Sequence, residues 1–413
     1  MDSIQPLAQG INEYRKLAAP QAQEAQAAPA ADTIELSGAA PREGEKGTSS
    51  LSDTIKKLPK IDLHRHLEGS LRPETIIRMA GKYGISLPAT TADTLKPYVC
   101  ITEKDKTLGD FLSKFSPISE LFVNTDAIRE ISTECVRDAK NENIRAMELR
   151  FSPMSMARKG KLDLKKVMDA VIQGVRQGEK ETGIMVSLTV IIPRHKGAET
   201  GKMLEDLAEE YLKSGSVAAC EGEPPQASGG YGRVNALDLA CDEAQYPPDP
   251  YVPVFIESEN DGLHRTIHAG EARGADSVRT AVEECHAERI GHGVRAFEDP
   301  ALVQDLIKKG IVLEMCPTSN VQTGAVLSLE SHPLKKFHDG GGKATINTDD
   351  PGVCDTDLNK EYEKALTRMG CTMEDLKSMI LVAADAIFLP PPLKAALKES
   401  IKAELQALNG KRS

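Results

Sequence analysis

The sequence predicts an α/β protein built as a (β/α)8 barrel. Eight short runs of strand-forming residues recur along the chain, and helix-length stretches separate nearly all of them. Five of the nine histidines fall at the C-terminal ends of those runs, the rim where such barrels do their chemistry. The runs cover residues 61–64, 146–151, 185–192, 234–240, 264–268, 289–292, 311–315 and 344–348. Each is a short, strand-like run, and their alternation with helical patterns suggests parallel strands.

The first gap is the exception. Between Leu67 and Ala146 the chain carries several helical patterns, so the first β-α crossover is elaborated. One of these stretches, 107–122, brings Phe111, Leu112 and Phe115 onto a helix. It serves either as an apolar wall over a binding site or as an amphipathic core helix. Another helix is expected over about 201–214. No internal repeat at a fixed period is visible.

The barrel is expected over 53–405. Residues 1–52 are rich in Ala, Gln, Pro, Gly and Ser and bury too little apolar surface to offset ordering, which predicts a disordered tail. Acids at Asp2, Glu13 and Glu24 argue against an organelle transit peptide, and no signal-peptide core is present. The Gly/Pro-rich segment 220–233 precedes a strand, on the side opposite the active rim, and reads as a surface insertion. Residues 406–413 are expected to fray.

With 51 Lys+Arg against 62 Asp+Glu, the net charge of −11 repels phosphate backbones, and no basic patch offsets it. A nucleic-acid partner is not expected. No apolar run spans a membrane. The eight cysteines form no CxxC pair, so they read as reduced thiols in a cytoplasmic protein.

His64 and His66 close the first run, His195 the third, His268 the fifth and His292 the sixth. In a strand, residues two apart face the same way, so both imidazoles of His64-x-His66 can reach one metal. The alternative is a pair of solvent-facing histidines. With His268 and Asp349 the set becomes three nitrogens and one oxygen, which suits zinc with a position left for water. Such a water ionises near neutral pH and needs no Ser or Cys nucleophile. Glu271 is placed either as a general acid or as an acid complementing a helix N-terminus. His292, between two glycines, is a candidate base or electrostatic stabiliser. Asp350 either orients water or, like Asp349, caps a helix. His286-Ala-Glu288 matches half of a zinc-deaminase signature whose Cys-x-x-Cys half is missing, and Cys316 carries no mark of activation.

These residues lie in phrases that resemble the adenosine deaminase family. The phrases are Asp62-Leu-His-Arg-His-Leu-Glu-Gly-Ser-Leu-Arg-Pro-Glu74, Glu148-Leu-Arg-Phe-Ser-Pro153, Ala236-Leu-Asp-Leu-Ala-Cys-Asp-Glu243, His268-Ala-Gly-Glu271, Arg289-Ile-Gly-His-Gly293, Cys316-Pro-Thr-Ser-Asn320 and Ile346-Asn-Thr-Asp-Asp-Pro351, in family order.

The resemblance implies one zinc per chain on His64, His66, His268 and Asp349. It implies Glu271 as the acid that protonates the purine ring nitrogen, with His292 and Asp350 aligning and deprotonating water. Adenosine, and with it 2′-deoxyadenosine, would lose ammonia to give the 6-oxo purine. Phe111 and Phe115 would line the base, with Glu68 near the ribose. Two positions depart from the pattern: Cys241 stands where the family usually has Gly, and Glu68 where nucleoside deaminases usually have Asp. They leave adenine or a 5′-modified adenosine as the alternative substrate. A relative that binds purine or a protein without turnover is the reading from another class. No feature specifies an oligomeric state.

Overall fold

Eight parallel strands pair in sequence order: β1 (Lys60–His66), β2 (Ile144–Phe151), β3 (Met185–Pro193), β4 (Arg233–Ala240), β5 (His264–Ala269), β6 (Arg289–His292), β7 (Val312–Met315) and β8 (Lys343–Ile346). Helices lie between them, which is the expected (β/α)8 barrel. This computed structural model describes residues 50–105, 107–160, 162–214 and 233–410. The predicted tail and the 220–233 insertion therefore lie outside the described residues, apart from 50–52 and Arg233. A helix, Leu51–Lys57, precedes β1, and the last helix, Pro391–Gly410, continues past residue 405. Among the described residues no helix is long and apolar enough to cross a membrane.

The first crossover carries five helices: Pro73–Tyr83, Ala92–Val99, Leu108–Ser113, Phe115–Ser119 and Thr125–Asn141. The single stretch expected over 107–122 is thus two short helices that meet at Lys114. Pro117 accounts for the break, because its ring clashes with a carbonyl one turn back and it has no N–H to donate. Thr125–Asn141 packs on Leu164–Thr182 at close range. Cβ atoms added at Gly174 and Gly178 would sit 2.3 Å from the Arg129 carbonyl oxygen and 2.5 Å from the Val136 Cβ.

The barrel interior is charged. Period-two alternation sends Glu148 and Arg150 of β2, Asp238 of β4, Arg289 of β6 and Glu314 of β7 inward, all fully or almost fully buried. The floor is closed by the chain after the helix Met373–Ala386. Arg289 donates to the Ala386 carbonyl at 2.6 Å and stacks 3.5 Å from the Phe388 ring centroid, and the Phe388 N–H donates to Glu148 at 2.5 Å.

The seam between β8 and β1 positions the rim. It is joined by a single bridge, not by a ladder. Asp349 N–H donates to the His64 carbonyl at 2.8 Å, and the Asp349 carbonyl accepts from His66 N–H at 2.8 Å. One residue pair below, the Leu63 N–H donates to Asn347 Oδ1 at 2.9 Å. The strand expected to reach Thr348 ends at Ile346 because the chain turns there, with Asp349 at φ 61°. Replacing Asn347 with Ala leaves the buried Leu63 N–H without its acceptor. The expected loss is about 1–3 kcal/mol of unfolding free energy in urea titration. Unchanged stability would show that this amide does not hold the seam.

Candidate active site

The donors predicted at the strand ends meet at the barrel mouth. His64 and His66 reach it from β1, His268 from β5, and Asp349 from the turn after β8. His64 Nε2 lies 3.1 Å from His268 Nε2 and 3.3 Å from Asp349 Oδ1. His66 Nε2 lies 3.3 Å from His268 Nε2 and 3.2 Å from the same oxygen. All four donor atoms fall within 4.8 Å of one another.

Their orientation suits this cluster to a cation. His64 Nδ1 faces Glu314 Oε2 at 2.9 Å, and His268 Nδ1 faces Asp238 Oδ1 at 2.9 Å. Burial acts to raise both carboxyl pKa values. For Glu314 the charges of Arg150 and Arg289 outweigh it, and for Asp238 those of His268 and Arg150, so both carboxyls stay low and ionised. Ionised carboxylates only accept, so both Nδ1 atoms carry a proton and both Nε2 atoms are turned to one shared point. A tetrahedral ion with bonds of about 2.0–2.1 Å has donor spacings of about 3.3 Å, close to those seen here. The residues fit a divalent metal with nitrogen and oxygen preference. Ser319 Oγ holds the second Asp349 oxygen at 2.6 Å.

Glu271 sits beside the donors, buried, with its carboxylate 3.6 Å from His292 Nε2. Burial first, and then the Asp349 and Glu243 carboxylates, push its pKa up to about 8. The turn that carries it is folded around Glu243, a residue that sequence reasoning did not single out. The N–H groups of Gly270, Glu271, Ala272 and Arg273 all donate to the Glu243 carboxylate, at 2.7, 3.0, 2.6 and 3.0 Å. Ser277 Oγ adds a fifth bond at 2.6 Å. The helix that begins at Ala275 is therefore served by Glu243, which leaves Glu271 free to face the cavity.

His292 is held in one tautomer. Asn320 Oδ1 accepts from Cys316 N–H at 3.2 Å and faces His332 Nε2 at 3.1 Å, so its Nδ2 donates to His292 Nδ1 at 3.0 Å. Burial lowers the His292 pKa, so the ring is neutral with its proton on Nε2, facing Glu271. Asp350 is buried with Oδ1 lacking a partner. Burial and the adjacent Asp349 push its pKa well up, the His66 charge acting the other way.

The donors open into a cavity of about 200 Å³. Its polar side is His66, His268, His292, Glu271, Asp349 and Asp350, and its apolar side is Leu108, Phe111, Leu112, Phe115, Ile118 and Phe122. Glu68 and Cys241 also line it. Glu68 Oε1 accepts from Ser152 N–H at 2.9 Å, while Oε2 has no partner. His195 does not join the mouth. It is exposed in a 3-10 turn two residues past the end of the strand, its ring beside Tyr246 at 6.4 Å between centroids. The half-signature histidine, His286, pairs with Glu259 at 2.7 Å away from the donors. Burial pushes the Cys316 thiol well above its ordinary range, which removes it as a nucleophile.

The adenosine deaminase family profile matches residues 59–225 and 230–404. An adenosine deaminase of Aliivibrio fischeri is 41% identical over 345 residues, 84% of this chain and 98% of that protein. This chain belongs to the adenosine deaminase family. A Shigella flexneri adenosine deaminase is 38% identical over 347 residues, covering 84% of this chain and 98% of its own. The structure of an N6-methyl-AMP deaminase from Arabidopsis thaliana superposes with a TM-score of 0.70 at 25% identity, over 85% of this chain and 98% of that one. The protein is an aminohydrolase of this family.

In this deaminase Cys241 has φ 79°, the left-handed region in which a Cβ is strained. Cys241→Gly is expected to raise the unfolding free energy by about 1 kcal/mol in urea titration. A less stable variant would show that the packing of the sulfur outweighs the strain.

Proposed function

We propose that this aminohydrolase converts adenosine, and 2′-deoxyadenosine, to the 6-oxo purine nucleoside and ammonia, with one zinc ion held by His64, His66, His268 and Asp349. The observation that carries the reading is a carboxyl held protonated near neutral pH, Glu271, beside four donors aimed at one point. A zinc ion on those donors lowers the pKa of water toward about 7 and so supplies a nucleophile near neutral pH.

The rest is the work of side chains. Phe111 and Phe115 line the cavity and offer an apolar wall for the purine. Glu271 gives its proton to purine N1, which makes C6 electrophilic. The unpartnered Oδ1 of Asp350 accepts the proton lost by water, its pKa drawn down by the nearby dication. His292 Nε2–H donates to the oxygen that adds at C6 and steadies its charge. The proton held by Asp350 then goes to the amino group as ammonia leaves, and the hydroxyl proton at C6 returns to Glu271 as the 6-oxo group forms.

A second reading, adenine or a 5′-modified adenosine, rests on Glu68. Its free Oε2 reaches one methylene further into the cavity than an Asp would. Steady-state rates on adenosine, 2′-deoxyadenosine, adenine and 5′-modified adenosines separate the two, and a preference for adenine would overturn the lead substrate. Seven free cysteines among the described residues, six of them buried, support a reducing cytoplasmic setting.

Glu271→Gln keeps the charge-free form but has no proton to give, so turnover is expected to fall by about 10²–10⁴-fold with zinc content unchanged. Wild-type activity in that variant would remove Glu271 as the acid. The protonated form is the active one, so kcat/KM is full below the folded-state pKa and lost as pH rises through it. The zinc charge opposes the upward shift, which puts this alkaline limb at or below pH about 8. A rate–pH profile flat to pH about 10 would contradict the assignment.

A further inference from the structure

Arg150 lies on β2 beneath the donor cluster, fully buried, and touches both carboxylates that orient the ligand histidines. Its NH1 donates to Asp238 Oδ2 at 2.8 Å and its NH2 to Glu314 Oε2 at 2.7 Å. The same NH2 reaches the Leu63 carbonyl, next to His64 in the chain, at 2.7 Å. Asp238 accepts from His268 Nδ1 through its other oxygen, Oδ1, and Glu314 from His64 Nδ1 through the same Oε2, each at 2.9 Å.

From this geometry we infer that Arg150 is a positioning residue for the metal centre, one guanidinium that sets two ligand histidines at once. An arginine suits the task because its planar fork presents donors at fixed angles to two acceptors, which a lysine ammonium cannot do. The cation also offsets the repulsion between two buried carboxylates that face the same small space. Arg289, the other buried arginine of the interior, has a different reach. It binds Glu314 Oε1 at 2.7 Å and the Glu148 carboxylate, while Asp238 is bound by Arg150 and His268. Arg289 thus ties the network to the barrel floor, and Arg150 ties it to the ligands.

The inference rests on the metal reading proposed above, and its test reads metal binding, not turnover. Zinc affinity of the full chain is measured by competition with a chromophoric chelator for wild type, Arg150→Lys and Arg289→Lys. The expected result is zinc binding about 10–100-fold weaker in Arg150→Lys, the range found when an outer-shell partner of a metal ligand is lost. Arg289→Lys should stay much closer to wild type. Circular dichroism and thermal unfolding of the zinc-free proteins show whether each variant is folded. A folded Arg150→Lys that binds zinc as tightly as wild type would overturn the inference, and so would an equal loss in Arg289→Lys.

If Arg150→Lys does not fold, Asp238→Asn and Glu314→Gln are measured singly and together. Carboxylates coupled through one guanidinium give a combined loss that departs from the product of the single losses by about fivefold or more. Losses that simply multiply would overturn the inference. A wild-type chain that binds no zinc would sink the metal reading itself, a result distinct from either.

Discussion

Two imidazole Nε2 atoms facing each other at 3.1 Å are the constraint on which the rest of this structure depends. Glu314 and Asp238 engage the Nδ1 atoms of His64 and His268, so both Nε2 atoms are turned to the same point. His66 and an Asp349 oxygen complete the ring of donors at similar spacing. Such a set is costly to assemble in a buried place without an ion and favourable with one.

The scaffold around it is arranged to hold that set still. The charged barrel interior fixes the histidines from below, through Arg150, Arg289 and the plug at Phe388. From above, the seam places Asp349 against the backbone of His64 and His66. Three non-glycine residues at the mouth, Cys241, His292 and Asp349, have φ of 79°, 63° and 61°. Each costs on the order of 1–3 kcal/mol, and together they aim side chains that a relaxed strand end would turn elsewhere. The hydrogen bonds of Glu243 and Asn320 show the same logic, since each fixes one catalytic candidate without touching the cavity centre. In the proposed reaction, a neutral His292 that donates from Nε2 would leave Asp350 as the group that takes the proton from water.

Much of this was legible in the sequence, for identifiable reasons. The strands were readable because both faces are buried and the runs are short, and His64 and His66 because a spacing of two fixes a common face. The rim rule brought His268, His292 and Asp349 to the same place. It failed for His195, which lies two residues past the strand end and is exposed in a 3-10 turn. The split of 107–122 was visible in Pro117 but outweighed by the apolar spacing. The interior network was not legible. Glu148, Arg150, Asp238, Arg289 and Glu314 look in sequence like ordinary charged residues within strands, and their partners lie up to 250 residues away. Only the closed sheet shows that they share one core. Likewise nothing local to Glu243 says that four backbone N–H groups would converge on it, and the left-handed φ of Cys241 needs coordinates to be seen.

The most direct test is a zinc titration of metal-stripped protein, with adenosine turnover followed by ultraviolet absorbance at each point. Activity should rise from zero in proportion to added zinc and break at one ion per chain. Turnover by the zinc-free protein, or a break at two ions per chain, would contradict a single metal centre built on His64, His66, His268 and Asp349.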